Sequence, residues 1–184
     1  MSQTLPAPVD YLAFARFERE TEGRHELEDG RVVAMSGGTP AHARLPMNLA
    51  AALYPQLGSG PCAVYSGDLR IYVEATANSY YPDLTVVCGE VALHPHDDHA
   101  LVNPAVLVEV LSPSSAMRDR GRKGPEYRTL PSLQDLLFVA QDRRHVEHWQ
   151  RVEVGWRVVE LTAGTLVLAC GAEVALDALY AGVA

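Results

Sequence analysis

The stretch YYPDLTVVC (residues 80–88) has the pattern of a buried β-strand, yet it carries a carboxylate, Asp83, directly after a proline. The stretch AVLVEVLSPSS (residues 105–115) repeats this combination, with Glu109 inside an otherwise apolar run. Short apolar runs rich in β-branched residues predict strands that are buried in a sheet. Two strands that should be wholly apolar therefore each contain one acid.

These two acids must have partners, because a buried and unpaired carboxylate is costly. Asp83 and Glu109 are 26 residues apart, which is long enough for the chain to return between neighbouring strands. Two converging carboxylates and a backbone carbonyl form a hard, oxygen-only site that suits Mg²⁺ or Mn²⁺. The alternative is that each acid forms a salt bridge with a nearby arginine.

A third feature follows in SAMRDRGRKGPEYRTL, where Asp119, Lys123 and Tyr127 are spaced four residues apart. On a helix these three residues lie along one stripe. Lys123 is the only lysine among 15 basic residues, and lysine and arginine differ in their chemistry. A lysine beside a metal-bound water can orient that water, take its proton or stabilise negative charge. The alternative is an ordinary exposed ion pair between Asp119 and Lys123.

The remaining pattern alternates helical and extended segments, which predicts an α/β or α+β class around a mixed sheet. An Asp29-Gly30 turn predicts a hairpin. Pro46 is expected to kink the second helix or to delay its start. A polar loop is expected at 89–104. The predicted helices cover 9–20, 40–57 and 174–182, further strands fall in 62–73, and a closing antiparallel set covers 134–142, 145–152, 155–161 and 165–170.

Composition limits the setting of the protein. At 184 residues the chain predicts one domain, 1–184, and no apolar run is long enough to span a membrane. The N-terminus lacks the pattern of a secretory signal. The three cysteines are far apart and odd in number, which predicts free thiols and a reducing cytoplasm. The net charge is −8, but residues 115–157 carry nine basic and six acidic side chains. This basic segment either meets phosphates or is a solvated face.

The ordered set of motifs resembles the Uma2 family, also called DUF820, of the PD-(D/E)xK nuclease superfamily. The resemblance spans nearly the whole chain, from HELEDGRVVAMSGGTPAHA to LYAGV. Pro82-Asp83 matches the PD of the superfamily and Glu109 matches its second acid. Leu111 stands where the superfamily lysine usually follows, and Lys123 matches the place on the next helix where family members carry it instead. Glu26 and His42 match a family acid and a family histidine.

The resemblance implies an α/β, restriction-endonuclease-like fold with a mixed central sheet, flanking helices and additional antiparallel strands. It also implies a Mg²⁺- or Mn²⁺-dependent endonuclease that hydrolyses phosphodiester bonds in DNA. A homodimer is expected, because cutting both strands of a duplex favours two sites related by a two-fold axis. The implied catalytic residues are Asp83, Glu109 and Lys123. The implied metal ligands are Asp83, Glu109, the carbonyl of Val110 and Glu26. Substrate contacts are expected from Arg118, Arg120, Arg122, Arg128, Tyr127 and His42.

Several alternatives stay open on the sequence. The same fold could serve as a non-catalytic nucleic-acid-binding or regulatory module. Gly121, Gly124 and Pro125 disfavour a helix around Lys123, so a loop or turn is expected there, before a helix that begins near Pro125. The segment HPHDDH (residues 94–99) is either a transition-metal site or a solvated loop. Trp149 and Trp156 are expected in the core or on a sheet face. G-x-S-x-G and phosphate-binding glycine motifs are absent from the sequence.

Overall fold

The computed structural model of the protein describes residues 8–113 and 115–183. It has two six-stranded sheets, a two-stranded hairpin and helices that pack against the sheets, which is the mixed α/β class that the pattern predicts. The ends of the predicted domain (residues 1–7 and 184) and Ser114 of the LSPSS motif lie outside the described residues. Within the described part of the chain, no helix is long and apolar enough to cross a membrane.

The first sheet has the order β2-β1-β5-β4-β8-β7. Its first hairpin turns at Asp29 and Gly30, which both have positive φ, at 47° and 72°. This confirms the predicted Asp-Gly hairpin, whose turn type needs positive φ at both central residues. The strands are β1 (His25–Glu28), β2 (Arg31–Ala34), β4 (Arg70–Val73), β5 (Asn78–Tyr80), β7 (Leu93–His94) and β8 (Asp97–Leu101).

The second sheet has the order β12-β11-β10-β9-β6-β3. Its β6 and β9 pair antiparallel, β9 and β10 run parallel, and β10, β11 and β12 form an antiparallel meander. All residues of β9 are buried, as the apolar run predicts. The strands are β3 (Cys62–Ser66), β6 (Leu84–Cys88), β9 (Val106–Leu111), β10 (Asp135–Ala140), β11 (Val146–Arg151) and β12 (Trp156–Leu161).

Two predicted segments divide between the sheets. The stretch at 62–73 forms β3 and β4, and YYPDLTVVC forms β5 and β6, with Pro82 and Asp83 at the crossing. Proline has no N–H to give to a strand ladder, so the break at Pro82 has a local cause. Asp83 consequently lies at the start of β6, where the chain leaves one sheet and enters the other.

The helices pack against these sheets. The first, α1 (Tyr11–Glu20), is confirmed, and its N-cap Asp10 accepts a hydrogen bond from Ala13 N at 2.8 Å. The second, α2 (Pro40–Leu57), begins at Pro40 after the N-cap Thr39, so Pro46 lies inside the helix and does not delay its start. Four leucines of α2, spaced four apart, pack on the second sheet: Leu45, Leu49, Leu53 and Leu57.

Three other expectations need correction. The predicted loop at 89–104 contains β7 and β8, because Asp97 has buried partners that order it. The last predicted strand, β13 (Thr165–Val167), leaves the meander and pairs with β14 (Glu173–Ala175), ahead of the predicted final helix, α5 (Leu176–Leu179). A disulfide joins Cys62 and Cys88, which lie opposite each other in the β3–β6 register. The prediction of free thiols is therefore wrong for these two residues, and only Cys170 stays free.

The segment around Lys123 is also more regular than its glycines suggest. It runs through α3 (Ala116–Arg118), a π-helical turn (Asp119–Lys123) and α4 (Gly124–Tyr127) without leaving helical geometry. The expected loop before Pro125 is thus a π-turn, a geometry that occurs as single turns and is frequent at functional sites. The wide turn still places Asp119, Lys123 and Tyr127 on one buried stripe.

Candidate active site

The two strand acids lie side by side. Asp83 precedes β6, and its N–H donates to the carbonyl of Val108 in the neighbouring β9 at 2.9 Å. Its Oδ2 accepts a hydrogen bond from Val110 N at 2.6 Å. Glu109 lies between those two residues of β9. The two strands pair as antiparallel neighbours, and this brings both carboxylates to the same end of β6.

Both acids line one cavity of about 260 Å³. The second sheet provides its floor, and the π-turn and the N-terminal end of α2 provide its walls. Asp119 and Lys123 reach it from the π-turn, and His42 reaches it from α2. Three segments that are far apart in the sequence therefore meet at the cavity.

Lys123 is buried among carboxylates. Its Nζ donates to Glu26 Oε1 at 2.8 Å and to Glu109 Oε1 at 3.2 Å, and it lies 3.6 Å from Asp119 Oδ1. Burial lowers the pKa of Lys123, but the negative charges of these three carboxylates outweigh that effect and raise it. Lys123 is therefore a fixed ammonium group in this arrangement, and not an exposed partner of Asp119.

Glu109 has more negative neighbours than positive ones. Its Oε1 accepts hydrogen bonds from Lys123 and, at 2.7 Å, from the hydroxyl of Tyr127. Burial, and after it the charges of nearby carboxylates, raise the pKa of Glu109 to about 8, although Lys123 opposes this shift. A carboxyl with such a raised pKa in a cavity marks a place where an added cation is favourable.

Tyr127 and His42 each hold one of the two acids. Tyr127 is fully buried, and its hydroxyl meets Glu109 and does not face the cavity. His42 Nε2 is 2.9 Å from Asp83 Oδ1. A carboxylate only accepts, so His42 carries a proton on Nε2, and this hydrogen bond raises its pKa. Both residues were expected to contact substrate, and of the two only His42 borders the cavity.

Glu26 lies behind Lys123. Its Oε1 accepts from Lys123 and from Tyr81 N at 3.2 Å, and its Oε2 pairs with Arg118. The residue is buried, at 1% exposure, and does not border the cavity. In this arrangement Glu26 positions the lysine, and the expected role as a third metal ligand stays a prediction.

The predicted phosphate-binding arginines already have partners within the chain. Arg118 borders the cavity and pairs with Glu26 and Glu28. The others lie away from the cavity: Arg120 bonds Glu147 at 2.8 Å, Arg122 bonds Asp29 at 2.7 Å, and Arg128 stacks 3.9 Å above the Trp149 ring.

The two tryptophans and the HPHDDH segment make contacts that are typical of structural residues. Trp149 and Trp156 are partly buried against the core, and Arg151 stacks 4.5 Å above Trp156. In HPHDDH, Asp97 is buried and turned toward Arg70, Arg19 and Tyr11. Among the described residues, no cluster of three or more His, Cys, Asp or Glu side chains is arranged to hold a metal ion. The transition-metal alternative for this segment is therefore not supported.

The oxygen donors at the cavity still fit a magnesium-type ion. They are the carboxylates of Asp83 and Glu109 and the carbonyl of Val110. The N–H and C=O of one strand residue point to the same edge, so the Val110 carbonyl faces the side on which Val110 N meets Asp83. Mg²⁺ commonly uses one or two carboxylates and keeps several waters. Two carboxylates, one carbonyl and open volume match that preference.

The cavity residues that sequence reasoning missed include Thr39 and Gln141. Gln141 directly follows β10, and its N–H donates to Leu111 O at the end of β9, at 3.3 Å. The signal was a polar residue after the apolar run LLFVA, comparable to the position of Asp83 beside its own strand. Because β9 and β10 are parallel neighbours, their C-terminal ends lie at the same end of the sheet. The sequence alone does not reveal which strands are neighbours.

Comparisons with known proteins identify the family of this chain. The family model described as "Uma2: Putative restriction endonuclease" matches residues 8–177. Two uncharacterized proteins of Synechocystis sp. (strain ATCC 27184 / PCC 6803 / Kazusa) are similar in sequence. The protein sll1609 is 33% identical over 83% of this chain and 85% of its own length. The protein slr1290 is 31% identical over 97% of this chain and 93% of its own length.

A solved structure shows the same fold. It is the crystal structure of "a putative nuclease belonging to DUF820" from Anabaena variabilis ATCC 29413, with a TM-score of 0.76. The match covers 94% of this chain and 98% of that chain at 14% identity, so it supports the fold alone. The family model spans most of the chain and the fold is that of a DUF820 protein; this chain belongs to the Uma2 family.

Proposed function

We propose that this protein is a metal-dependent endonuclease that hydrolyses phosphodiester bonds in DNA with an activated water. One observation carries the proposal: Asp83 and Glu109 line one cavity, and the only lysine of the chain is buried against Glu109. A structural ion pair does not need two strand acids, a lysine and an open cavity at one point. A metal-dependent nuclease in which a lysine orients the attacking water uses all four, and the Uma2 family description points the same way.

Asp83, Glu109 and the Val110 carbonyl would hold Mg²⁺ or Mn²⁺. When bound, the ion supplies Lewis-acid polarisation of the phosphodiester and lowers the pKa of a bound water. Hydrogen bonds within the chain hold both carboxylates in place for this role. His42 and Val110 N fix the two oxygens of Asp83, and Tyr127 fixes Glu109. The raised pKa of Glu109 means that this carboxyl loses a proton when a cation arrives.

Lys123 would act as a charged donor at the cavity. Its raised pKa favours orienting the attacking water and stabilising developing negative charge over taking a proton. Glu26 and Asp119 also contact the ammonium group and hold it in place. The lysine is thereby positioned without help from the substrate.

Flanking phosphates would meet the arginines of the basic segment. Because Arg118, Arg120 and Arg122 have acidic partners in the free protein, each would have to exchange a carboxylate for a phosphate. Such contacts add affinity but carry no sequence information. Two copies related by a two-fold axis would suit the cutting of both strands, so a homodimer is part of the proposal.

The decisive experiment incubates purified protein with supercoiled plasmid in Mg²⁺, in Mn²⁺ and in chelator. We expect nicked or linear DNA only when metal is present, and we expect Asp83→Asn to remove it. Asp98→Asn is the matched control, because Asp98 is an exposed acid of the first sheet. Cutting that survives in chelator, or in Asp83→Asn, would contradict the proposed mechanism.

The second candidate is a non-catalytic nucleic-acid-binding or regulatory module. The observation that favours it is the ion pairing of Lys123 with Glu26 and Glu109, which occupies the lysine in the free protein. This candidate predicts DNA binding that is independent of metal, with no cutting of supercoiled, linear or single-stranded DNA. The plasmid assay and a binding assay in chelator separate the two candidates.

A further inference from the structure

Gln141 is a buried neutral residue at a cavity that also contains three carboxylates, a lysine and an arginine. It follows β10 directly, is 8% exposed and borders the cavity that holds Asp83 and Glu109. Its backbone is fixed by the hydrogen bond to Leu111 O. A glutamine held this firmly beside two acids has a defined direction in which its amide can act.

The hydrogen bonds of Thr39 determine the direction of the Gln141 amide. Thr39 Oγ1 accepts from His42 N at 3.1 Å, as the N-cap of α2. The same oxygen lies 2.7 Å from Gln141 Oε1. A hydroxyl has one proton to give and the carbonyl end of an amide can only accept, so Thr39 donates to Oε1. The NH₂ group of Gln141 is therefore directed away from Thr39.

That NH₂ group reaches open space. Gln141 Nε2 makes no hydrogen bond to any residue in the described ranges. It is also not among the fully enclosed unpartnered atoms of the described chain, which are Arg70 Nε, Thr85 Oγ1 and His145 Nδ1. Gln141 lines the cavity, so its unpartnered Nε2 is the donor that this residue can offer to a molecule bound there.

The other strong donors at the cavity are already engaged. Lys123 donates to Glu26 and Glu109, Arg118 pairs with Glu26, and His42 donates to Asp83. A phosphodiester presents only acceptors through its non-bridging oxygens, so a donor with no competing carboxylate can bind it without first breaking an ion pair. The Gln141 amide meets this requirement without adding charge beside the metal-binding oxygens.

We propose that Gln141 is a substrate-binding residue whose Nε2 donates a hydrogen bond to a non-bridging oxygen of the scissile phosphodiester. The inference rests on the proposed nuclease function and adds a specific contact to it. Thr39 is the positioning residue that keeps the amide in the donating orientation. The N-cap of α2, the hold on Asp83 and the substrate contact are then parts of one network.

The test compares Gln141→Met, which keeps the length but removes the donor, with Gln134→Met. Gln134 borders a different cavity, which shares no residue with the active-site cavity. A hydrogen bond to a charged group is worth about 10- to 100-fold in rate or affinity. We expect Gln141→Met to lose about that much single-turnover rate, and Gln134→Met to lose less than about twofold. Equal rates for Gln141→Met and the parent would overturn the inference.

A second variant separates positioning from folding. Thr39→Val removes the hydroxyl that orients the amide, and Thr39→Ser keeps it. We expect a partial rate loss for Thr39→Val that Thr39→Ser restores, and no further loss when Thr39→Val is added to Gln141→Met. Thermal melting identifies any loss that comes from the helix cap. Additive losses in the double variant would overturn the positioning role.

Failure of the nuclease function itself would be recognised separately. A parent that cuts no DNA with any metal would reject the proposed function. Binding of a fluorescein-labelled oligonucleotide in Ca²⁺ would then test the contact alone. Weaker binding by Gln141→Met than by Gln134→Met would support the contact, and equal binding would overturn it.

Discussion

Glu109 and Asp97 are both buried strand acids, and their surroundings have opposite effects on them. Burial raises the pKa of Asp97, but hydrogen bonds from Tyr11 and Arg19 and the charge of Arg70 outweigh burial and lower it to about 2. Burial also raises the pKa of Glu109, and there the nearby carboxylates add to burial, so its pKa reaches about 8. The positive and hydrogen-bonding groups around Asp97 outweigh the cost of its burial, whereas the one positive neighbour of Glu109 does not.

The difference separates a structural acid from a functional one. Asp97 ties α1 to β4 and β8 through Tyr11, Arg19 and Arg70, and it makes the first sheet more stable. Glu109 lacks that compensation beside a cavity, which is the arrangement that a bound cation would complete. Burial alone does not distinguish the two acids; the sign of the surrounding charge does.

The largest expected effect is the loss of cleavage when a metal-binding acid is neutralised. Asp83→Asn and Glu109→Gln keep the shape of each side chain but remove its charge. We expect each to abolish Mg²⁺ binding in calorimetric titration and cleavage in the plasmid assay, whereas Asp97→Asn, where it is folded, keeps Mg²⁺ binding. Undiminished Mg²⁺ affinity in the Asp83→Asn/Glu109→Gln double variant would reject the site.

The next effect concerns Lys123→Arg. Guanidinium keeps the positive charge but is planar and bulkier, so it cannot reproduce the compact contacts of the ammonium group with Glu26 and Glu109. We expect normal folding and a rate loss of about 10²-fold or more, the usual scale for losing such a group. Arg157→Lys is the matched reverse control, on the edge strand β12 and outside the cavity. Cleavage by Lys123→Arg within a few-fold of the parent would remove Lys123 from the mechanism.

Replacing Asp97, the structural acid, should lower the stability of the fold. Asp97→Asn leaves Arg70, which is 1% exposed, without its charge partner. Breaking a buried ion pair in this way costs about 3–5 kcal/mol in the free energy of unfolding. Denaturant-induced unfolding at neutral pH measures this loss. The control variant Asp98→Asn should have a free energy of unfolding within about 0.5 kcal/mol of the parent. A small loss for Asp97→Asn would mean that its ion pairs contribute little.

The two acids should also give opposite pH dependences of stability. Lowering the pKa of Asp97 from 3.8 to about 2 provides stability above pH 3.8 that is lost as the pH falls toward 2. Raising the pKa of Glu109 from 4.5 to about 8 makes the metal-free protein lose stability as the pH rises from 4.5 to 8. Glu109→Gln should therefore become more stable than the parent across that upper range in chelator. Parallel curves for the two proteins would contradict the raised pKa.

The smallest effect is expected at the basic segment. DNA affinity should fall as salt rises, and Arg120→Ala or Arg122→Ala should flatten that slope by about one unit for each phosphate that is no longer neutralised. Both side chains are about one-third exposed and ion-paired, so the change is modest. Arg157→Ala is the control, at the edge strand β12. Unchanged slopes for Arg120 and Arg122 would mean that their internal ion pairs persist in the complex.

Local chemistry explains which parts of the fold were predictable. The Asp29-Gly30 turn and helix α1 depend on residues close in sequence, and so do β6, β9 and β10, the central strands of the second sheet. The segment at 89–104 was missed as strands, because the order of β8 depends on contacts of Asp97 with Tyr11 and Arg70. The disulfide was missed because Cys62 and Cys88 become neighbours only through the β3–β6 register. Sequence spacing does not record strand register.

By itself the sequence determined the chemical groups of the site: two strand acids, one lysine and their order along the chain. Only the tertiary structure decided how they are compensated, because burial and the sign of neighbouring charge depend on contacts between distant segments. Glu26 reaches Lys123 across 97 residues, and Thr39 reaches Gln141 across 102. A carboxylate's residue type is written in the sequence, but its pKa and role are set by the groups that the fold packs around it.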